Sequence, residues 1–585
     1  MRNRIVVLIV SLLVFSCMGS SFRVSVVSPL DKILKDGSSS ILNEGKNTAF
    51  VDMAKDEAES FQIVVIPLFS ELKDVRVTAD LITSTQGLDL QLYKVGYVKT
   101  GNPGYAVEHV GLWPDILWEI EEFDVQLNEV QPVWVRVKTS GESKEGVYKA
   151  RINIETNDTI QVVPLTINIR NFTIPRPGTL AMPFGIYRSF LEQWYFGKKG
   201  SLDHNTYLEW CKYLADYRIT AKDIGYEYVD KEYESRDGIN YLASVDYSKT
   251  AEGIKLLSNQ YFADYSYGLY RMPSGPTISK ALKDPDKYKW CTPQRLASDA
   301  ITYFEHYKKL GFNDRAYIYG IDEVIGEDAF DFAAETYAIV KEHIPDAKIM
   351  QTGNCNNPKL VGLVDIWCPK LGLSDEPFFQ ERLKDGDILW QYVCGSPLRP
   401  YMNLLVDQTG LEHRMAFWHT RKIGATGFLY WTVISGCRDW SPKPWQSEQA
   451  FPNSMPDMKD MVGFTDLWIH TNGDGQILYP GKDMKPIPSI RLEIIRDGIE
   501  DYEYFVILEK LLKQVKMIDK YNTPGTKSFI ANAEYLTQVP DEICRDGKDF
   551  SKEKHKLLNR RKEIADMIEQ LNQILSDKDY ESWKR

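Results

Sequence analysis

The chain is poor in the patterns that would make it a metalloprotein. Its eight cysteines include no C-x-x-C pair and its eight histidines no H-E-x-x-H signature, so zinc-finger and zincin chemistry are excluded on spacing. Neither a structural metal nor any other cofactor is expected. A surplus of basic residues is also missing: the formal net charge is -12, the wrong sign for neutralising phosphates, so nucleic acid is not an expected partner. There are no internal repeats and no low-complexity tracts. With 43% hydrophobic and 26% charged residues, the composition is that of a compact globular protein and excludes a disordered or polytopic membrane chain.

What is present begins with an export signal. Arg2 and Arg4 precede an apolar run from Ile5 to Phe15, too short to cross a bilayer but suited to a signal sequence. The run ends in Val14-Phe15-Ser16-Cys17, which resembles a bacterial lipobox and makes Cys17 the expected lipidation site. The expectation is an exported protein, periplasmic or at the cell surface, tethered to the outer membrane by that lipid alone; an ordinary cleaved signal is the alternative. Without Cys17 an odd number of cysteines remains, so at least one stays free.

The 585 residues imply several domains. From residue 22 to 175, short period-two runs such as Pro132-Val-Trp-Val-Arg-Val-Lys138, separated by turn residues, predict an antiparallel β-sandwich. Pro175-Arg-Pro177-Gly178 reads as a linker. From 180 to 510, apolar strands alternate with helical stretches, which predicts a (β/α)8 TIM barrel. The expected strands are Met182 to Tyr187, Ile219 to Ile224, Tyr265 to Tyr270, Ala316 to Ile321, Lys348 to Thr352, Val364 to Cys368, Ile388 to Cys394 and Gly427 to Thr432. Expected helices include Pro293 to Leu310, Asp328 to His343 and Gln408 to Ile423, and residues 511 to 585 read as a C-terminal helical segment.

In a TIM barrel the chemistry sits where strands end. The fourth strand runs directly into Asp322-Glu323, the candidate catalytic pair. An Asp-Glu dipeptide before a helix is ordinarily a solvated loop or a contribution to the helix N-terminus; its place at a strand end raises its standing. Adjacency also speaks to mechanism, because common glycosidases set two carboxylates about 5 Å or about 6.5–9.5 Å apart across the scissile bond. Chain neighbours suit substrate-assisted catalysis instead. There the 2-acetamido oxygen of the sugar attacks the anomeric carbon. For both side chains to reach one pocket the backbone must be leaving the strand, which the flanking Gly320 and Gly326 would allow.

The chain resembles glycoside hydrolase family 123, N-acetyl-β-galactosaminidases built from a β-sandwich and a TIM barrel. The resemblance is carried by Tyr319-Gly-Ile-Asp-Glu323, Val364-Asp-Ile-Trp-Cys-Pro369, Leu389-Trp-Gln-Tyr-Val-Cys394, Gly427-Phe-Leu-Tyr-Trp431, Asn472-Gly-Asp-Gly475 with Tyr479-Pro-Gly481, and the long block from Ser489 to Tyr502. Ala58-Glu-Ser-Phe-Gln62 and Trp113-Pro-Asp-Ile-Leu117 extend it into the N-terminal domain. It implies that Asp322 stabilises the acetamido group and Glu323 is the acid/base.

Trp390, Tyr392, Tyr430 and Trp431 end the seventh and eighth strands and are candidate sugar-binding aromatics, although alternation should turn half of them into the wall. Asp474 is a further candidate for sugar hydroxyls, with a Gly-rich turn as its ordinary role. Arg491, Glu493, Arg496, Asp497, Glu500 and Asp501 are expected to form a structural ion-pair network. The leading expectation is a retaining exo-hydrolase releasing β-linked N-acetylgalactosamine from a glycolipid, glycoprotein or polysaccharide. The alternatives are an N-acetylhexosaminidase of other specificity and a non-catalytic glycan-binding lipoprotein.

Overall fold

The computed structural model describes residues 20–197, 200–236, 238–261, 263–312, 315–435, 471–518 and 524–576. Cys17 and the export signal lie outside them. Two compact units emerge, one from the residues up to Tyr97 with Leu112–Arg170, the other from Val98–Gly111 with Asn171 onward.

Period-two sequence dictates the first unit. Strand Ile160–Thr173 buries Val163, Leu165, Ile167 and Ile169 and turns Val162 and Pro164 to solvent. Two five-stranded antiparallel sheets follow from such alternation. One is ordered Phe22–Val27, Ala58–Pro67, Gln131–Lys138, Asp89–Lys99, Leu112–Glu119; the other Ala49–Lys55, Ile160–Thr173, Gly146–Glu155, Leu72–Leu81, Phe123–Val125. Their inner faces supply one apolar core, with Phe61 opposite Val135 and Ile63 opposite Val133. This is the predicted sandwich.

The second unit contains eight parallel strands: β1 (Pro183–Phe184), β2 (Thr220–Ala221), β3 (Tyr267–Arg271), β4 (Ala316–Tyr319), β5 (Ile349–Gly353), β6 (Ile366–Pro369), β7 (Ile388–Val393) and β8 (Gly427–Tyr430). They pair in the order β2-β1-β8-β7-β6-β5-β4-β3, a nearly closed barrel of the TIM type. All eight fall within or across the runs expected from sequence. At the β2/β3 seam the turn Lys222–Gly225 lies against β3, and a Cβ on Gly225 would stand 2.0 Å from the Gly268 carbonyl oxygen. Only glycine permits that approach. The interior is filled by Tyr317, Tyr319, Met350, Ile366, Cys368, Trp390, Tyr392 and Leu429, a packed core and not a pore.

Helices α1 (Pro293–Lys308), α2 (Glu327–His343) and α3 (Gly410–Lys422) occupy the expected stretches, and α4 (Ile490–Lys516) and α5 (Lys554–Ser576) follow the barrel. Helix α3 opens with a capping box between Thr409 and Glu412, and Ser489 caps α4 by accepting from the Leu492 amide. The first four turns of α4 are buried on every side, so their charges must be paired. Arg496 meets Glu493 at 2.7 Å and Asp497 at 2.8 Å, while Asp501 holds Arg414 at 2.6 Å and Arg561 at 2.7 Å. The expected ion-pair network is therefore internal. Among the described residues the cysteines are free and buried, and no group of side chains forms a metal site.

Candidate active site

The carboxylate pair is placed by what precedes it. At Gly320 a Cβ would stand 2.4 Å from the Tyr337 hydroxyl and 2.8 Å from the Met350 carbonyl oxygen, so glycine lets β4 lie close against α2 and β5. The next amide, of Ile321, donates to Tyr337 Oη at 2.7 Å. Asp322 then makes a single parallel bridge to Ser274, and its carbonyl accepts from the Gly275 amide at 2.7 Å. At Glu323 the backbone turns to φ 53°, a left-handed conformation that a residue with a side chain adopts only where its surroundings hold it. That turn, rather than glycine freedom on either side, breaks the strand alternation between the two carboxylates. Gly326 serves elsewhere, as the N-cap of α2 with φ 89°.

The two acids have different partners. Asp322 Oδ1 accepts from Thr352 Oγ1 at 2.8 Å and from the Tyr319 hydroxyl at 2.9 Å, and its Oδ2 accepts from Arg271 Nη2 at 2.9 Å. Glu323 Oε1 accepts from the Tyr392 hydroxyl at 2.5 Å and pairs with Lys370 Nζ at 3.1 Å. Thr352 links the two, because its Oγ1 also accepts from the Glu323 amide at 3.2 Å. Both side chains stay partly exposed, at 24% and 33%. Burial and the negative charge of Glu323 push the Tyr392 phenol well above its usual range, which keeps it a donor.

Behind Asp322 a second tier of charges holds Arg271. Its Nη1 donates to the Tyr187 hydroxyl at 2.8 Å, which also accepts from Lys222 Nζ at 3.1 Å. Lys222 in turn pairs with Asp223 at 2.8 Å. Burial opposes the charge on Lys222, but Asp223 and Tyr187 outweigh it and the pKa is raised.

The expected sugar-binding residues divide. Trp431, at the end of β8, is half-buried, while Tyr392 is buried with its hydroxyl on Glu323. Trp390, Tyr430 and Asp474 are 1%, 0% and 2% exposed, packed behind the more open Trp431. Trp390 and Tyr392 are two residues apart on β7 and both point into the barrel, with Trp390 the deeper, edge-on to Tyr317 at 5.4 Å. Tyr430 leaves β8 on the opposite face, against Phe184. Asp474 stands behind Trp431, its Oδ1 accepting from the Trp431 indole at 2.9 Å and the Tyr430 hydroxyl at 3.0 Å. Burial raises its pKa to about 6.

Arg271, Lys222, Thr352 and Lys370 were not among the expected site residues. Arg271 ends β3, Lys222 and Lys370 directly follow β2 and β6, and Thr352 is the last residue but one of β5. The strand-end rule that selected Asp322, applied to every strand, would have found them.

Residues 294–508 match the family model described as glycoside hydrolase 123, catalytic domain. Over that segment the chain is similar to a glycoside hydrolase family 123 catalytic domain. A family 123 glycoside hydrolase from Clostridium perfringens, solved in a study of glycolipid glycan hydrolysis, is similar in structure with a TM-score of 0.65, over 95% of this chain and 99% of that one. At 14% identity the likeness concerns the fold. A β-glucuronidase from Parabacteroides merdae covers 77% of this hydrolase and 50% of its own chain at 11% identity, with a TM-score of 0.28, too low to carry an argument. No curated protein matches the sequence.

Proposed function

We propose that this hydrolase releases terminal β-linked N-acetylgalactosamine with retention, using the substrate's own 2-acetamido group as nucleophile. The observation that carries the reading is the neighbouring pair itself: Asp322 is gripped through both oxygens by Arg271, Tyr319 and Thr352, whereas Glu323 is held through Oε1 alone. A carboxylate fixed at both ends suits an orienting, charge-stabilising role. One with an oxygen to spare suits proton transfer.

In the first step the acetamido oxygen bonds to C1 as the C1–O glycosidic bond breaks. Glu323 delivers its proton to the departing oxygen, and Asp322 accepts the acetamido N–H and balances the positive charge that spreads over the ring formed. In the second step Glu323 takes a proton from water as the water oxygen bonds to C1, and the bond from C1 to the acetamido oxygen breaks. Two displacements on one carbon return the original configuration. Trp431, partly open at the end of β8, serves as the stacking platform for the sugar ring. The galacto preference rests on the family resemblance, and glycolipid glycans are the natural substrates to try, given the subject of the Clostridium perfringens structure.

A leaving-group series tests the division of labour. Glu323→Gln should abolish turnover of alkyl 2-acetamido-β-galactosides, whose leaving groups need a proton, while nitrophenyl glycosides retain far more. Asp322→Asn should impair both to a similar degree. Equal loss across the series in Glu323→Gln would remove Glu323 from the acid role.

A further inference from the structure

Between strands Asp89–Lys99 and Leu112–Glu119, the segment Val98–Gly111 belongs to the barrel unit, although the strands on either side belong largely to the sandwich. After Val98 and Lys99, which end the first of those strands, it has no regular structure, and Gly101, Asn102, Gly104, Ala106, Glu108 and Val110 are exposed. Its base is closed by the Thr100 amide, which donates to the Gly111 carbonyl at 2.7 Å, and by the Gly111 amide, which donates to Thr100 Oγ1 at 3.1 Å. Between them, Gly101 and Tyr105 make a dense set of hydrogen bonds to the barrel's own loops.

The Gly101 amide donates to Asn472 Oδ1 at 3.1 Å, and Asn472 Nδ2 donates back to the Gly101 carbonyl at 3.1 Å. The side-chain amide thus pairs with backbone as a neighbouring strand would. Asn472 Nδ2 also donates to Asp407 Oδ2 at 2.6 Å. The Tyr105 hydroxyl lies 2.9 Å from Asp407 Oδ1 and 3.0 Å from Oδ2, and the Asn472 amide donates to Tyr105 Oη at 3.3 Å. Asp407 and Asn472 are fully buried, at 0% and 3% exposure.

Asn472 opens the turn that ends in Asp474 and Gly475. Its carbonyl accepts from the Val406 amide at 2.9 Å, and Arg491 holds the Gly473 carbonyl at 3.0 Å. At Gly475, φ 71°, a Cβ would stand 2.3 Å from Trp431 Cζ2, so the indole lies directly on the turn's backbone. Asp474 grips the indole nitrogen from behind. Position therefore passes from Tyr105 and Gly101 through Asp407 and Asn472 to Asp474 and Gly475, and from there to Trp431.

We infer that Val98–Gly111 is a positioning element of the hydrolase site: Tyr105, through Asp407 and Asn472, sets the orientation of Trp431 and with it the affinity for the sugar. The inference rests on the reading of Trp431 as the sugar platform. Tyr105 and Asn472 touch no substrate and are positioning residues.

The test is a coupling experiment on the full chain with a nitrophenyl 2-acetamido-β-galactoside. Losing the hydroxyl that bonds both Asp407 and the Asn472 amide should raise KM about three- to tenfold in Tyr105→Phe, with kcat held within about twofold, because a misplaced platform weakens ground state and transition state alike. Asn472→Ala should do the same, which guards against a peculiarity of one variant. In a Trp431→Ala background neither substitution should raise KM further. A merely structural latch would lower the melting temperature and leave KM alone, or raise KM equally with and without Trp431; either result overturns the inference while leaving the platform reading intact. If Trp431→Ala itself leaves KM unchanged, the platform reading fails and takes this inference with it, with the roles of Asp322 and Glu323 unaffected.

Discussion

The left-handed turn at Glu323 is supported by its neighbours and is correspondingly sensitive to them. Gly353 has φ 88°, and a Cβ there would stand 2.9 Å from Glu323 Cα. Gly353→Ala is expected to cost about 1–3 kcal/mol in backbone strain alone, and to lower activity more than the stability loss explains; urea unfolding and kcat measured side by side separate the two. Thr352 is the other support, since one hydroxyl serves both Asp322 Oδ1 and the Glu323 amide. Thr352→Val keeps the shape and removes both bonds. A hydrogen bond to a charged group contributes roughly 1.5–3 kcal/mol to stability, so urea unfolding should show a loss of about that size, and kcat/KM measured on the folded protein should fall by at least about tenfold. Asp322 and Glu323 were legible because two carboxylates follow an unbroken apolar run. The strand-end rule reaches Tyr187 and Lys222 one at a time but not their meeting, because only the folded barrel brings both to Arg271, with the Tyr187 hydroxyl accepting from each cation.

At the scale of elements, the eight strands could be read because short apolar runs alternate with helical periodicity, and each landed close to its expected bounds. The facing of those strands was harder. On a strand buried on both sides, inward and outward residues are equally apolar, so nothing in Leu389-Trp-Gln-Tyr-Val393 announces that Trp390 and Tyr392 point inward and Gln391 outward, to Thr420 and Ser374. The burial of α4 was likewise hidden, because a helix rich in charge ordinarily lies at the surface. Here Asp501 is shared by Arg414, Arg561 and the Trp418 indole. Asp501→Asn removes the carboxylate that two buried guanidinium groups share and leaves Arg414 with the longer contact to Asp497 at 3.5 Å; the expected loss is about 3–5 kcal/mol by chemical denaturation. Asp549→Asn, which breaks an exposed pair with Arg545, should change stability by less than about 1 kcal/mol.

The whole molecule should register the buried acids in its response to pH. Asp474 is raised from 3.8 to about 6 and Glu227 from 4.5 to about 7, both chiefly by burial. In the unfolded chain these carboxyls lose their protons at the ordinary values, whereas the folded protein keeps them longer. Between the two values the folded state binds more protons, so this contribution to stability falls as pH rises. Asp474→Asn has no such proton to lose. Relative to the parent, its melting temperature should rise as pH goes from about 4 to about 7; a gap independent of pH would contradict the assignment.

Everything proposed for the reaction depends on the substrate bringing its own nucleophile. The most direct test compares hydrolysis of nitrophenyl 2-acetamido-β-galactoside with that of its 2-hydroxy counterpart by the same preparation. Turnover of the first is expected, with no detectable turnover of the second. Comparable rates on both would mean that the protein supplies the nucleophile, and would contradict the substrate-assisted reading of Asp322 and Glu323.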